Sequence, residues 1–246
     1  MADNDIWIEI KAKKGTLTEE MLREIFLYPK KWGEKISEII AKEYGNEDDY
    51  LERAIANSFD KKLTSSDDSA LSKLDTTGIH YKWFRIYCWD RDEFDVIKIS
   101  FHKGNVNPNN IDEKRNLDNF YQITERFIEF TKFIWNLFGK NGIYAVADWE
   151  LIFYSLYEQK IPLDRAFHHF WFSIIPEGIS IPEKYAATLY RDGTSGDFLP
   201  WHKIEKVKNG TLLLASPVPW SVINEIPSKI TWEELEKKWR ALETKK

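Results

Sequence analysis

Four carboxylates, Asp90, Asp92, Glu93 and Asp95, fall within six positions of one another, with Arg85 and Arg91 close by in sequence. Paired carboxyl groups do the work of glycoside hydrolysis when they stand about 5–9.5 Å apart, one acting as acid and the other as base or nucleophile. These four lie in and beside a turn, where side chains are solvated and titrate normally. Two indoles, Trp83 and Trp89, flank them. An exposed acidic hairpin carrying aromatic anchors has the chemistry to dock on a basic protein surface. Trp83, Trp89, Asp90, Asp92 and Glu93 are therefore the expected partner-binding residues, with Asp67 and Asp68 as a second acidic patch.

Asp148 and Glu150 flank Trp149 in ADWEL. On a strand the two carboxylates share a face and could serve a hydrolase acting on a glycoside or phosphoester. At a helix start they are an ordinary complement to the macrodipole. The five histidines are His80, His102, His168, His169 and His202. His168 and His169 are adjacent, so on a strand they point to opposite faces and share no ion easily. His80 could meet Asp90 or Asp92 across a hairpin, but HExxH, CxxC and EF-hand patterns are all missing, so no metal is expected. The sequence has neither GxxxxGK[ST] nor GxGxxG, and RDGTSGDF (191–198) reads as a turn between strands. Ser195 lacks the GxSxG spacing of a nucleophile elbow. Cys88 lies in the aromatic run WFRIYCW and reads as a buried, inert thiol. No catalytic residue and no cofactor is expected.

The elements that must position these groups can be read from periodicity. Residues 5–13 alternate, with Ile6, Ile8 and Ile10 on one side, and read as a strand. Thr16 and Glu19 fit a capping box ahead of Met21, Leu22, Ile25 and Phe26 at helical spacing, and Pro29 interrupts or follows that helix. A second helix is predicted from about Trp32 to Tyr44 with Ile36, Ile39 and Ile40 inward. Between Glu47 and Asp75 there are eight acidic residues against four basic ones. SSDDSALSKLDTTG within that stretch reads as a surface loop and as the one weak boundary, near 60–78, in a single α+β domain. HYKWFRIYCW and EFDVIKISF joined by DRD make a hairpin whose second run does not alternate cleanly, as when both faces are covered. Residues 117–138 form one long helix, with Phe120, Ile123, Phe127, Phe130, Ile134, Leu137 and Phe138 at steps of three and four. Residues 143–158 read as a strand followed by a helix, or as one helix. Short strands are expected at 169–175, 187–191 and 211–215, with a final amphipathic helix capped by Thr231 and Glu234. The fold class is α+β, an antiparallel sheet packed against a long central helix and further helices.

The sequence has 246 residues and a net charge of −5, from 35 basic and 40 acidic side chains. Phosphate neutralisation calls for the opposite sign, so nucleic acid is an unexpected partner. Eleven Trp, eleven Tyr and fifteen Phe supply a large aromatic core, interface anchors, or stacking platforms for a carbohydrate- or peptide-binding module. No apolar run reaches membrane-spanning length, and MADNDIWIEI lacks the basic and apolar regions of a secretory signal. With one cysteine, a cytoplasmic location is expected.

The strand GTLLLAS (210–216), then PVPW, then VINEIPSKITWEELEKKWRAL leading into a last helix, resembles the ending of bacterial immunity proteins from polymorphic-toxin and type VI secretion systems. The aromatic hairpin, the long helix and the Trp-rich FIWNLF and ADWELIFYS are similar in layout. The resemblance implies a cytoplasmic protein that neutralises a cognate toxin by binding it. A basic toxin would complement the acidic chain, and self-association as a homodimer stays open.

Overall fold

The alternation of residues 5–13 is realised as β1 (Asp5–Lys13), in a computed structural model that describes residues 5–60, 77–91, 93–102, 113–147, 171–181, 184–186 and 198–215. Ile6, Ile8 and Ile10 are fully buried on one side of it. Its two edges pair antiparallel with β4 (Phe94–His102) and β5 (Gly142–Ala147), with Glu9 opposite Lys98 on one side and Val146 on the other. β3 (Phe84–Arg91) pairs with β4 in the expected hairpin, and β2 (Gly78–His80) closes that edge. On the far side come β6 (Phe172–Pro176), β10 (Gly210–Leu214) and β9 (Lys203–Val207). The order across this eight-stranded sheet is β2-β3-β4-β1-β5-β6-β10-β9. A separate two-stranded ribbon pairs β7 (Lys184–Ala186) with β8 (Phe198–Pro200).

The apolar face of the sheet carries Ile6, Ile8 and Ile10 with Ile97, Ile99, Phe101, Phe84 and Ile86, all buried. Helices α3 (Glu47–Ser58) and α4 (Glu113–Phe138) pack against its strands, and α1 (Glu19–Leu27) packs on α3 and adds Leu22, Ile25 and Phe26 to the same core. From α4, Phe127, Phe130, Ile134, Trp135 and Phe138 are buried at the helical spacing read from sequence. Phe127 stacks on Phe101 with centroids 4.3 Å apart and meets Phe84 edge-on at 5.5 Å. Trp135 is the tightest fit. Its Nε1–H donates to the Lys208 carbonyl at 2.9 Å, and its ring lies on the glycines that open β5 and β10. A Cβ on Gly142 would stand 2.7 Å from Trp135 Cζ3, and one on Gly210 3.1 Å from Cζ2. Only a residue without a side chain fits at either position. The arrangement is an α+β fold with a long helix on an antiparallel sheet.

Several expectations need correcting. The N-cap of α1 is Thr18, whose hydroxyl accepts from the Met21 N–H at 3.2 Å. Thr16 instead donates its hydroxyl to the Lys13 carbonyl, closing the turn made by left-handed Gly15. Pro29 sits in a 3-10 turn, Tyr28–Trp32, rather than inside a helix. The helix expected over 32–44 is shorter, α2 (Glu38–Glu43), because Ile36 is extended and bridges Tyr81 beside β2. That resets the phase: Ile36 is 2 % exposed, Ile40 half-buried and Ile39 79 % exposed. Helix α3 occupies the start of the acid-rich stretch, and β9 had no counterpart in the reading of the sequence. The strand expected at 187–191, the C-terminal helix, the segment SSDDSALSKLDTTG apart from its last two residues, and Asp148 and Glu150 lie outside the described residues. No helix among the described residues is long and apolar enough to cross a membrane.

Candidate functional site

The hairpin holds its expected surface residues far apart. Trp83 immediately precedes β3, whereas Asp90 is near its other end. At about 3.3 Å per residue they are separated by roughly 23 Å. Trp83 is also turned inward. Its Nε1–H donates to Glu34 Oε2 at 2.8 Å, and its ring meets Phe84 and Phe127 at 4.8 and 5.6 Å. It braces the core edge, next to the Glu34–Arg126 pair at 3.8 Å. At the far end, Trp89 and Asp90 pair across the ladder with Val96 and Asp95, and Glu93 is exposed at the tip. Asp95 is not solvated. It is buried and accepts the Leu17 N–H at 2.7 Å, tying the turn after β1 to the hairpin. Asp67, Asp68 and Asp92 lie outside the described residues.

Acidic surface gathers at the opposite end of β3, where Ile36 and Ser37 join β2 and lead into α2 and α3. Between Glu34 and Asp60 stand eight acidic residues against three basic ones, a net −5 that equals the charge of the whole chain. Part of this charge is locked in pairs. Arg23 grips Glu52 through both guanidinium nitrogens and holds its carboxyl below the usual carboxylate range, and Lys30 pairs with Glu47. Asp49 accepts from Asn46 Nδ2 at 2.6 Å, while Asn46 Oδ1 caps α3 by accepting from the Asp49 N–H at 2.9 Å. Glu38, Glu43 and Asp48 are exposed and belong to none of these pairs. Ile39 stands among them, and it and Ile204 on the edge strand β9 are the large apolar side chains most exposed among the described residues. An aliphatic side chain with Glu38 beside it and Glu43 one helical turn on can seat in an apolar pocket flanked by cations. Composition analysed in windows would have located the charge. The exposure of Ile39 was hidden because a helix started too early puts it on the buried side.

The sheet's second face is polar and also buried. Glu9, at 1 % exposure, accepts from Tyr144 Oη at 2.8 Å and lies 3.4 Å from Lys98 Nζ. Lys11 lies 4.1 Å over the Phe94 ring and 5.2 Å over Tyr144, so its charge rests on π-faces. Trp7 reaches across β4 to stack on Tyr87 at 6.1 Å. With Glu9 and Lys98 buried side by side, removing either one would leave the other without its counter-charge at the centre of the sheet. Cys88 lies on the apolar face, where burial pushes its thiol up to about 12, so it is a poor nucleophile at neutral pH. His80 pairs with Arg85 in the β2–β3 ladder and meets the Tyr87 ring edge-on at 6.0 Å. Asp90 is five residues further along β3, about 17 Å away, so His80 does not meet it. No group of three or more metal-ligating side chains gathers among the described residues. No protein-family model, curated protein or solved structure matches the chain.

Proposed function

We propose that this chain is a binding protein that transforms nothing itself: an immunity-type inhibitor that neutralises a cognate protein toxin by covering its active site or substrate groove. The observation that supports it best is the acidic excess on α2 and α3, six carboxylates against two cations, beside an isoleucine that is 79 % exposed. Opposite potentials speed encounter with a basic partner, and a central apolar anchor within a polar rim is where binding energy concentrates. Glu93, at the far end of β3–β4, supplies a second acidic contact, on the hairpin that the sequence singled out. The two ends are about 25 Å apart along β3, a span that an interface of standard size, roughly 800 Å² per partner, can cover. Asp90 and Trp89 belong to the same proposed surface, whereas Trp83 supports it from within.

The experiment is co-production of the chain with the product of the gene next to its own in the source genome. Rescue of growth and a complex that weakens as salt rises are the expected results. Ile39→Asp and the pair Glu38→Lys, Glu43→Lys should abolish both while leaving the fold intact. A neighbouring toxin that is neutralised equally by these variants would remove α2 from the interface, and the absence of any neutralised partner would sink the inhibitor reading.

A further inference from the structure

Four residues on the polar face form a compact block at the centre of the sheet. Trp7 is directly opposite Ser100, and Glu9 directly opposite Lys98, in the β1–β4 register. Neighbouring strands are about 4.8 Å apart and same-face residues about 6.7 Å apart along a strand, so the block measures roughly 5 by 7 Å. Glu9 and Ser100 are each 1 % exposed and Lys98 5 %. Tyr144 satisfies Glu9 Oε1 at 2.8 Å, and Lys98 Nζ is 3.4 Å from Oε2, beyond the length of a charge-assisted hydrogen bond. Three polar atoms of the block, Trp7 Nε1, Ser100 Oγ and Glu9 Oε2, are buried without a hydrogen-bond partner in the protein. Leaving such atoms unmet on three adjoining residues of the register is costly, and native proteins rarely do it.

The chemistry of the three atoms defines what would satisfy them. Trp7 Nε1–H needs an acceptor, Glu9 Oε2 needs a donor, and the Ser100 hydroxyl takes either. A metal cation would face an N–H and an ammonium, and an anion would face a carboxylate oxygen. A neutral molecule that both donates and accepts meets all three, and the burial of these atoms restricts it to the smallest one. We propose that the Trp7–Glu9–Lys98–Ser100 block is an internal water site, in which one bound water bridges the β1 and β4 side chains. Buried waters typically make about three hydrogen bonds to groups of this kind. The inference is independent of the inhibitor reading and stands or falls without it.

A crystal structure of the full chain at about 1.8 Å or better tests it, since a bound water would lie about 2.6–3.2 Å from its partners. The expected result is one spherical density peak within that distance of at least two of the three atoms. An empty block, density too large for one oxygen, or a rotated Trp7 donating directly to protein would each overturn the proposal. In solution, the Trp7 indole N–H should show cross-relaxation with a water that tumbles with the protein. Its resonance among the eleven indoles is assigned by its loss in Trp7→Phe. Should that variant not fold, Ser100→Ala, which removes one of the water's partners, identifies the resonance by its shift. Contact only with fast-exchanging water would overturn the assignment.

Discussion

Ile36 and Ile39 are the same residue type three positions apart, at 2 % and 79 % exposure, and this contrast makes a sharp test. Truncating a buried isoleucine to alanine costs about 2–5 kcal/mol, so Ile36→Ala should lower the melting temperature by roughly 4–20 °C for a chain of this size. At Ile39 only about a fifth of the side chain is covered, which at about 2.5 kcal/mol for full burial leaves about 0.5 kcal/mol to lose. Alanine's better helix propensity returns roughly 0.4 kcal/mol of that, so Ile39→Ala should melt within about 1 °C of the parent. Thermal unfolding followed by circular dichroism measures both. For a partner that seats Ile39 centrally, Ile39→Asp should weaken binding by at least about 2 kcal/mol, roughly thirtyfold, with the melting temperature almost unmoved. Equal destabilisation by the two alanine changes would refute the phase assigned to α2. Unchanged binding by a folded Ile39→Asp would refute the interface.

The packing around Trp135 predicts that Gly142→Ala costs about 1–3 kcal/mol by overpacking, and that the cost shrinks when Trp135→Phe is already present; a double-mutant cycle on melting temperature measures the coupling. Cys88, buried and with its thiol pushed up to about 12, should react with a thiol reagent only as fast as the chain opens, so that native and urea-unfolded labelling rates differ by at least about a hundredfold at pH 8. Glu205 illustrates pH dependence. Burial alone would raise its carboxyl, but hydrogen bonds from Lys132 and Lys203, each 2.8 Å long, outweigh burial and hold it below the usual range. A depressed folded-state value contributes stability above the unfolded value of about 4.3 and loses it as pH falls further. Glu205→Gln should therefore cost about 0.5–1 kcal/mol at pH 7, and the two stability curves should converge near pH 3.

Periodicity made legible what depends on one strongly patterned face. The alternation of Ile6, Ile8 and Ile10 gave β1 its bounds, and the steps from Phe127 to Phe138 gave the face of α4. It failed where tertiary contacts override local pattern. Ile36 has helical neighbours but joins Tyr81 in an extended bridge, and this moved Ile39 from the core to the surface. Glu9 and Lys11 are the polar half of the β1 alternation, yet they lie inside the sheet, which is buried on both faces; only the second hairpin run, whose broken alternation pointed to cover on both sides, announced this, and Lys98 within it is buried. Asp95 looked like one of four equivalent turn carboxylates. Only the approach of Leu17, distant in sequence, separates it from exposed Glu93. The candidate site was legible as a charge imbalance and not as a place, because net charge is additive along a sequence while its clustering is set by how α2 and α3 meet the edge of the sheet.

The position of β1 at the centre of the sheet bears on how the protein is made. Its two neighbours, β4 and β5, are translated long after it, the second about 130 residues later. At roughly 5–20 residues per second a ribosome needs about 7–26 s to deliver both. Until β4 follows, about 80 residues after β1, neither edge of this run of isoleucines has its partner strand, and the edge that faces β5 waits for the whole interval. Nascent-chain chaperones would find their binding motif there, and a codon change that slows translation between residues 14 and 147 should lower soluble yield without altering the finished molecule.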